Sequence, residues 1–286
     1  MLVTGLCFIS VTALVKYMGT ALPSSQMAFL RYLLGLVFLL PALGALREMH
    51  LTRRQWTFFG VRGLAHGLAV ITWFYAMTQI PIADVTAMNY LAPIYVSIGA
   101  ALFLGERLAF RRIAAIVLAL VGALIILRPG FREVSTGHVA MIFTAIAFGG
   151  SYLSAKVMAG EVKPSIVVAM LSIFVTIVLA PFAIAVWVQP TWTDLLLLFG
   201  VASFATAGHY AMTLAFAAAP LTVTQPVTFT QLIWAVLLGY FVFDESVDIW
   251  VIFGGLVILA SVSFITWREA VLKRQHRTPT LNETKV

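Results

Sequence analysis

Between Asp84 and Glu106 the chain carries no charge over a run long enough to span a bilayer as a helix, and similar runs recur along the whole sequence. This constrains the fold more than any other feature. About 20 mostly apolar residues, coiled into a helix, match the hydrocarbon thickness of a bilayer. Ten such segments fit, near 1–18, 24–46, 55–79, 82–104, 111–128, 137–158, 164–187, 194–217, 220–243 and 249–267. Pro23, Pro81, Pro164, Pro190 and Pro220 fall at or near the breaks, where helices readily end. Of 286 residues, 62% are hydrophobic and only 10% charged, against about 25% charged in a soluble domain. Such a chain cannot cover itself with polar surface in water. The predicted fold class is therefore an all-α membrane protein with ten transmembrane helices. Nothing basic precedes Leu2–Val15 and Lys16 follows it, so this stretch reads as a first membrane helix rather than a signal peptide. The single cysteine, Cys7, excludes an intramolecular disulfide and a cysteine metal cluster.

The segments are organised as a repeat. Pro81–Glu106 and Pro220–Glu245 align at an offset of 139, which also pairs Tyr90 with Phe229, Tyr95 with Trp234 and Ile94 with Ile233. Lys16 and Lys156 close the first helix of each half. The expected units are 1–130 and 131–267, five helices each, with a basic cytoplasmic tail at 268–286 expected to be disordered. An odd number of helices per half inserts the second half upside down. Inverted repeats of this kind provide alternating access around a site near the midplane. With a cytoplasmic N-terminus, twelve Lys and Arg fall in inner loops and tail and two, Arg128 and Arg132, in outer loops. That bias satisfies the positive-inside rule and places both termini in the cytoplasm. It also explains the net charge of +7 without a nucleic-acid partner.

Polar groups inside the spans are the candidate functional residues. Lys16 and Lys156 either snorkel to their interfaces or present cations at the two mouths of a pathway. Arg31 lies deep in the second helix, where a guanidinium is costly unless paired or wet. With Lys16 and Asp84 it is expected to form one outer cluster, serving as ion pair, gate or anion contact. Gly60, Gly63 and Gly67 flank Arg62 and His66 and suit close helix packing. Asn89, Gln225 and Gln231 need hydrogen-bond partners in lipid. With Trp73, Tyr75, Tyr90, His209 and Tyr210 they would suit a planar or amphipathic solute. Pro93 and Pro226 each free a backbone carbonyl within a span and are hinge candidates. They do not coincide at the repeat offset.

There is no phosphate-binding lysine loop, no HExxH and no mid-membrane carboxylate pair, so neither an ATP-driven pump nor a hydrolytic site is indicated. Several stretches resemble the EamA-domain permeases of the drug/metabolite transporter superfamily: ALVKYMG, PSSQMAFLRYLLG with Arg31, FYAMTQIPIADVTAMNYLAPIYVSIGAALFLGERL, MTLAFAAAP and QLIWAVLLGYFVFDE. The likeness covers residues 1–267 and implies a secondary transporter of a bacterial inner membrane. It implies a cavity that takes in Tyr75, Tyr90, Lys156, Tyr210 and Gln231. The second half departs from the pattern, with Leu232 opposite Pro93 and Asp244 opposite Gly105. The final stretch looks most like the branch holding riboflavin and S-adenosylmethionine carriers.

The expected function is uptake of a planar vitamin-like compound such as riboflavin by alternating access. Efflux of amino acids, metallophore-like or other anionic solutes is the alternative. A membrane-embedded enzyme is the rival of another class. No cofactor or metal is expected. The expected partners are a small-molecule substrate and the lipid bilayer, and a homodimer is compatible with the sequence.

Overall fold

The computed structural model describes residues 1–42, 50–106, 109–158, 161–162, 164–218, 227 and 229–277. Eleven α-helices occupy them: α1 Leu2–Met18, α2 Ser24–Gly35, α3 Arg53–Gln79, α4 Ile82–Asn89, α5 Ala92–Phe103, α6 Phe110–Leu127, α7 Thr136–Met158, α8 Pro164–Ala185, α9 Trp192–Ala218, α10 Phe229–Phe243 and α11 Ile249–Arg277. A 3₁₀ segment, Leu36–Ala42, continues α2. Among the described residues the only β contact is an isolated bridge between Pro129 and Arg132.

Local chemistry sets several of the ends. Thr52 and Gln55 form a capping box at the start of α3, the Thr52 hydroxyl accepting from the Gln55 N–H and the Gln55 side chain from the Thr52 N–H. Thr191 and Asp194 exchange the same pair of bonds before α9. α5 and α10 both stop at a left-handed residue, Gly105 at φ 68° and Asp244 at φ 55°. Asp tolerates this region better than most side chains. The substitution at the repeat offset therefore keeps the turn, and in both cases the next N–H bonds six residues back, Glu106 to Ala100 and Glu245 to Gly239.

The span expected at 82–104 is broken. Tyr90 and Leu91 donate to carbonyls only three residues back, and Pro93, at the start of α5, has no N–H to give. α4 and α5 are thus two half-length helices end to end. Two other expectations change. The helix beginning at Ser24 tightens to 3₁₀ at Leu36, and α11 runs ten residues past 267, so residues 268–277 are helical rather than disordered. Of the span expected at 220–243, residue 227 and those from 229 onward are described.

Six described segments are long and apolar enough to cross a membrane, at 82–103, 110–127, 136–158, 166–185, 192–212 and 249–271. Leu2–Met18, Ser24–Leu40 and Thr230–Phe243 are shorter apolar helices. α6 shows how such a helix meets two apolar surroundings. Ala115, Ala119, Gly122, Ala123 and Ile126 face inward, while Val117, Leu118, Val121 and Leu124 face out. Apolar residues on every side suit lipid rather than water. Phe103 is 79% exposed and Phe241 75%, which only lipid makes favourable. The protein is an integral, multi-pass, all-helical membrane protein.

Small residues let the helices approach. A Cβ on Gly63 would stand 2.5 Å from Cβ of Phe174, so α3 and α8 pack at the GVRGLAHG stretch as its glycines suggest. α3 also packs along α7, and α1 along α9. α5 leans on α7, α10 on α1, and α9 on α2. α2 meets α8 and α6 meets α11.

Candidate functional site

A cavity of about 210 Å³ lies where the helix break meets the bundle interior. Asn89, Tyr90 and Pro93 supply one wall from the break. Thr4 and Phe8 come from α1, Arg31 and Tyr32 from α2, His66 and Trp73 from α3, and Phe148 and Tyr152 from α7. His209 of α9, Gln231 of α10, and Leu259 and Val262 of α11 also line it. The aromatic rings form a connected wall. Phe148 and Tyr152, one turn apart, stack at 5.7 Å with planes 10° apart. Trp73 meets Phe148 edge-on at 6.0 Å, and His66 lies 4.9 Å from Phe148. His209 contacts Phe8 edge-on at 5.1 Å.

The polar groups are less settled than the rings. His66 Nδ1 is 3.1 Å from the Ser151 hydroxyl. Thr4 Oγ1, Trp73 Nε1 and Asn89 Oδ1 are buried and have no hydrogen-bond partner among the described residues. Leaving such an atom unmet costs about 1–3 kcal/mol each. Three of them around one cavity are groups prepared for water or a solute. Arg31 is 6% exposed, and its guanidinium sits 4.3 Å over the ring of Tyr32.

The cavity therefore gathers Trp73, Asn89, Tyr90, Pro93, His209 and Gln231 from the expected residues, and leaves out three. Tyr75 is two positions past Trp73 and turns away, its hydroxyl 2.8 Å from Thr136 Oγ1. Tyr210 follows His209 and is 67% exposed on the lipid side. Lys156 holds Glu106 at 2.5 Å instead of entering the cavity. Gln225 and Pro226 lie outside the described residues. Phe8, Tyr32, Phe148 and Tyr152 were not anticipated. The spacing of four between Phe148 and Tyr152 was the available signal, since it places both on one helix face.

The expected cluster of Lys16, Arg31 and Asp84 does not form. Lys16 and Asp84 belong to two separate networks at one end of the bundle. Lys16 Nζ reaches Glu245 at 2.5 Å and donates to the carbonyl of Ile80 at 2.8 Å. The other Glu245 oxygen accepts from the Ile82 N–H at 2.9 Å. One ion pair thereby ties the ends of α1 and α3 to the start of α4 and the turn after α10. Asp84, 1% exposed, is held by Arg132 at 2.5 Å and His138 Nε2 at 2.9 Å. The Ser135 N–H can only donate, and it points at His138 Nδ1. Nδ1 thus accepts, and Nε2 is the nitrogen that donates to Asp84. Arg128 pairs with Asp248 beside them. Arg31 stands apart, in the cavity, because helical depth alone does not decide which way a side chain points.

At the opposite end Lys156 pairs with Glu106, which also meets Arg112 at 3.3 Å, and Arg54 pairs with Glu161 at 2.6 Å. The hydrogen bond from Lys156 holds the Glu106 carboxyl below its ordinary value of 4.5. A lowered folded value means the pair stabilises above the unfolded value and is lost as pH falls through the folded one. Thermal unfolding of the solubilised protein should show a small loss of stability just below pH 4.5. Lys156→Met should flatten that loss. An unchanged profile in the variant would assign it to another carboxylate.

Apolar helices around an aromatic cavity that holds unmet polar atoms are the parts of a solute-handling membrane protein. The chain belongs to the EamA-like transporter family, whose model matches residues 1–128 and 135–267. It is 26% identical to the S-adenosylmethionine uptake transporter of Rickettsia conorii, over 92% of this chain and 90% of that protein. It is 29% identical to the riboflavin transporter of Vibrio cholerae serotype O1, over 97% and 95%. It is 26% identical to the pseudopaline exporter CntI of Pseudomonas aeruginosa, over 89% and 90%.

Proposed function

We propose that this chain is a secondary transporter that carries a small organic metabolite across a bacterial inner membrane by alternating access. The observation that carries the reading is the cavity at the α4–α5 break, with three polar atoms unmet among the described residues. Discontinuous helices at mid-membrane are how transporters build such sites.

Two inverted halves of five spans, with both termini cytoplasmic, account for the packing. Exchanging each first-half helix for its counterpart turns the α3–α7 contact into α9–α1, and α5–α7 into α10–α1. The same exchange turns Lys16–Glu245 into Lys156–Glu106, so each lysine pairs with the glutamate of the opposite half. On this reading the Lys16 end faces outward and is shut by Lys16 and Asp84 acting as gate residues. The cavity reaches Met1 and Thr4 and so opens inward. Pro93 is the hinge on which α5 swings.

The leading substrate is a planar vitamin-like compound such as riboflavin, taken up. The ring-lined wall and the riboflavin-transporter relative support it. Efflux is the second reading, supported by the exporter relative. A membrane enzyme is set aside, since the family is one of transporters. Counterflow of labelled riboflavin in proteoliposomes tests the proposal. Saturable accumulation blocked by unlabelled riboflavin is expected. Displacement of the label by other solutes only would keep the transporter and discard the vitamin. No counterflow with any organic solute in folded protein would overturn the proposal.

A further inference from the structure

We infer that the cavity recognises an anionic group, with Arg31 as its anchor, so that among planar aromatic solutes those bearing a carboxylate or phosphate are bound most tightly. The inference deepens the transporter reading and rests on it.

The argument is one of charge balance. A guanidinium within a spanning segment costs at least about 2.5–3.5 kcal/mol, and proteins ordinarily offset this with a carboxylate. None of the cavity-lining residues is acidic. Asp84, Glu106, Glu161, Glu245 and Asp248 are each committed to another cation at the two ends of the bundle. Among the described residues Arg31 has neither an ion pair nor a hydrogen bond to offset its charge. Its one close partner is the ring of Tyr32. That contact is to a ring, and no described residue accepts from the guanidinium N–H fork. A fork of this kind matches the two oxygens of a carboxylate or phosphate.

The other cation nearby reinforces the sign. Arg62 is buried one helical turn from His66. Arg62 already donates to the carbonyl of Val167 at 2.9 Å and does not line the cavity. It adds positive potential without competing for the ligand. The Trp73, Phe148 and Tyr152 rings then take the planar part, and Asn89 Oδ1 accepts from a ring or chain N–H or O–H. A net cation would find no counter-charge here, although one relative is named for such a solute.

Matched pairs of probes test this: riboflavin against riboflavin 5′-phosphate, and indole-3-acetamide against indole-3-acetate. Binding to the purified full chain in detergent is measured by calorimetry. At least one acid should bind about tenfold or more tighter than its neutral partner, the margin of a charge-assisted hydrogen bond. Arg31→Gln should erase the margin, so that each acid binds no tighter than its neutral partner, and Arg31→Lys should keep part of it. The phosphate and carboxylate pairs separate the two anion types. Equal affinity within both pairs would overturn the inference, as would a margin that survives Arg31→Gln or binding of neither acid. Riboflavin counterflow with no preference for the acids would overturn it while leaving the transporter reading intact.

Discussion

Lys16→Met should destabilise the detergent-solubilised protein by about 3–5 kcal/mol, while Lys156→Met should cost less than about 1 kcal/mol. The two lysines stand at matching places in the proposed repeat and each pairs with one glutamate, so their difference reads burial together with the neighbouring partners. The side chains of Lys16 and Glu245 are 18% and 12% exposed, and those of Lys156 and Glu106 are 50% and 34%. Removing Lys16 strands a carboxylate that solvent barely reaches and orphans the Ile80 carbonyl. Removing Lys156 leaves a carboxylate that water and Arg112 can still satisfy. Replacing both Lys16 and Glu245 by methionine should recover much of the loss, because a buried pair costs most when only one member is missing. Unfolding in the presence of a denaturing detergent, followed by circular dichroism, gives the comparison. Equal losses for the two single variants would show that the Lys16 pair is as wet as the other.

How much of this was legible in the sequence depends on range. Helix positions were, because hydropathy over 20 residues is a local property. So was the nearly common offset that matches Lys16 with Lys156 and Glu106 with Glu245. That each lysine reaches the glutamate of the other half was not, since nothing local records which helix end lies beside which. Arg31 was grouped with Lys16 and Asp84 because all three lie toward one end of their helices. Direction around the helix axis then separates them, sending Arg31 into the cavity and Asp84 to Arg132. The same ambiguity divided the aromatic candidates. Trp73 and Tyr75, or His209 and Tyr210, are neighbours in sequence, but one of each pair faces the cavity and the other lipid or a helix surface. In a soluble protein polarity would mark the outward face, whereas here both faces are apolar. The break at Tyr90 was foreshadowed by Pro93, but its depth follows from where α4 and α5 separately find packing partners.

The crossing of α6 and α11, where backbone meets backbone, gives the other large effect. Gly254→Ala should destabilise by about 3 kcal/mol, the upper end of ordinary overpacking, and Gly150→Ala should leave stability unchanged or slightly raised. A Cβ on Gly254 would stand 2.6 Å from the carbonyl oxygen of Gly122 and 3.2 Å from the N–H nitrogen of Ile126. Both obstacles are backbone, so no rotamer change relieves them and α6 must move off α11. The reverse contact is as tight, a Cβ on Gly122 meeting the Gly254 carbonyl at 2.8 Å. A Cβ on Gly150 meets nothing within 4 Å, and alanine there gains helix propensity. The two substitutions are chemically identical, so composition and hydrophobicity cancel between them. α6 and α11 are the fifth and tenth spans of the proposed arrangement and contribute Leu259 and Val262 alone to the cavity. Gly254→Ala should therefore lower stability and yield far more than it lowers solute affinity in the protein that folds. A variant of normal stability with lost binding would instead place the α6–α11 crossing in the moving part of the transporter.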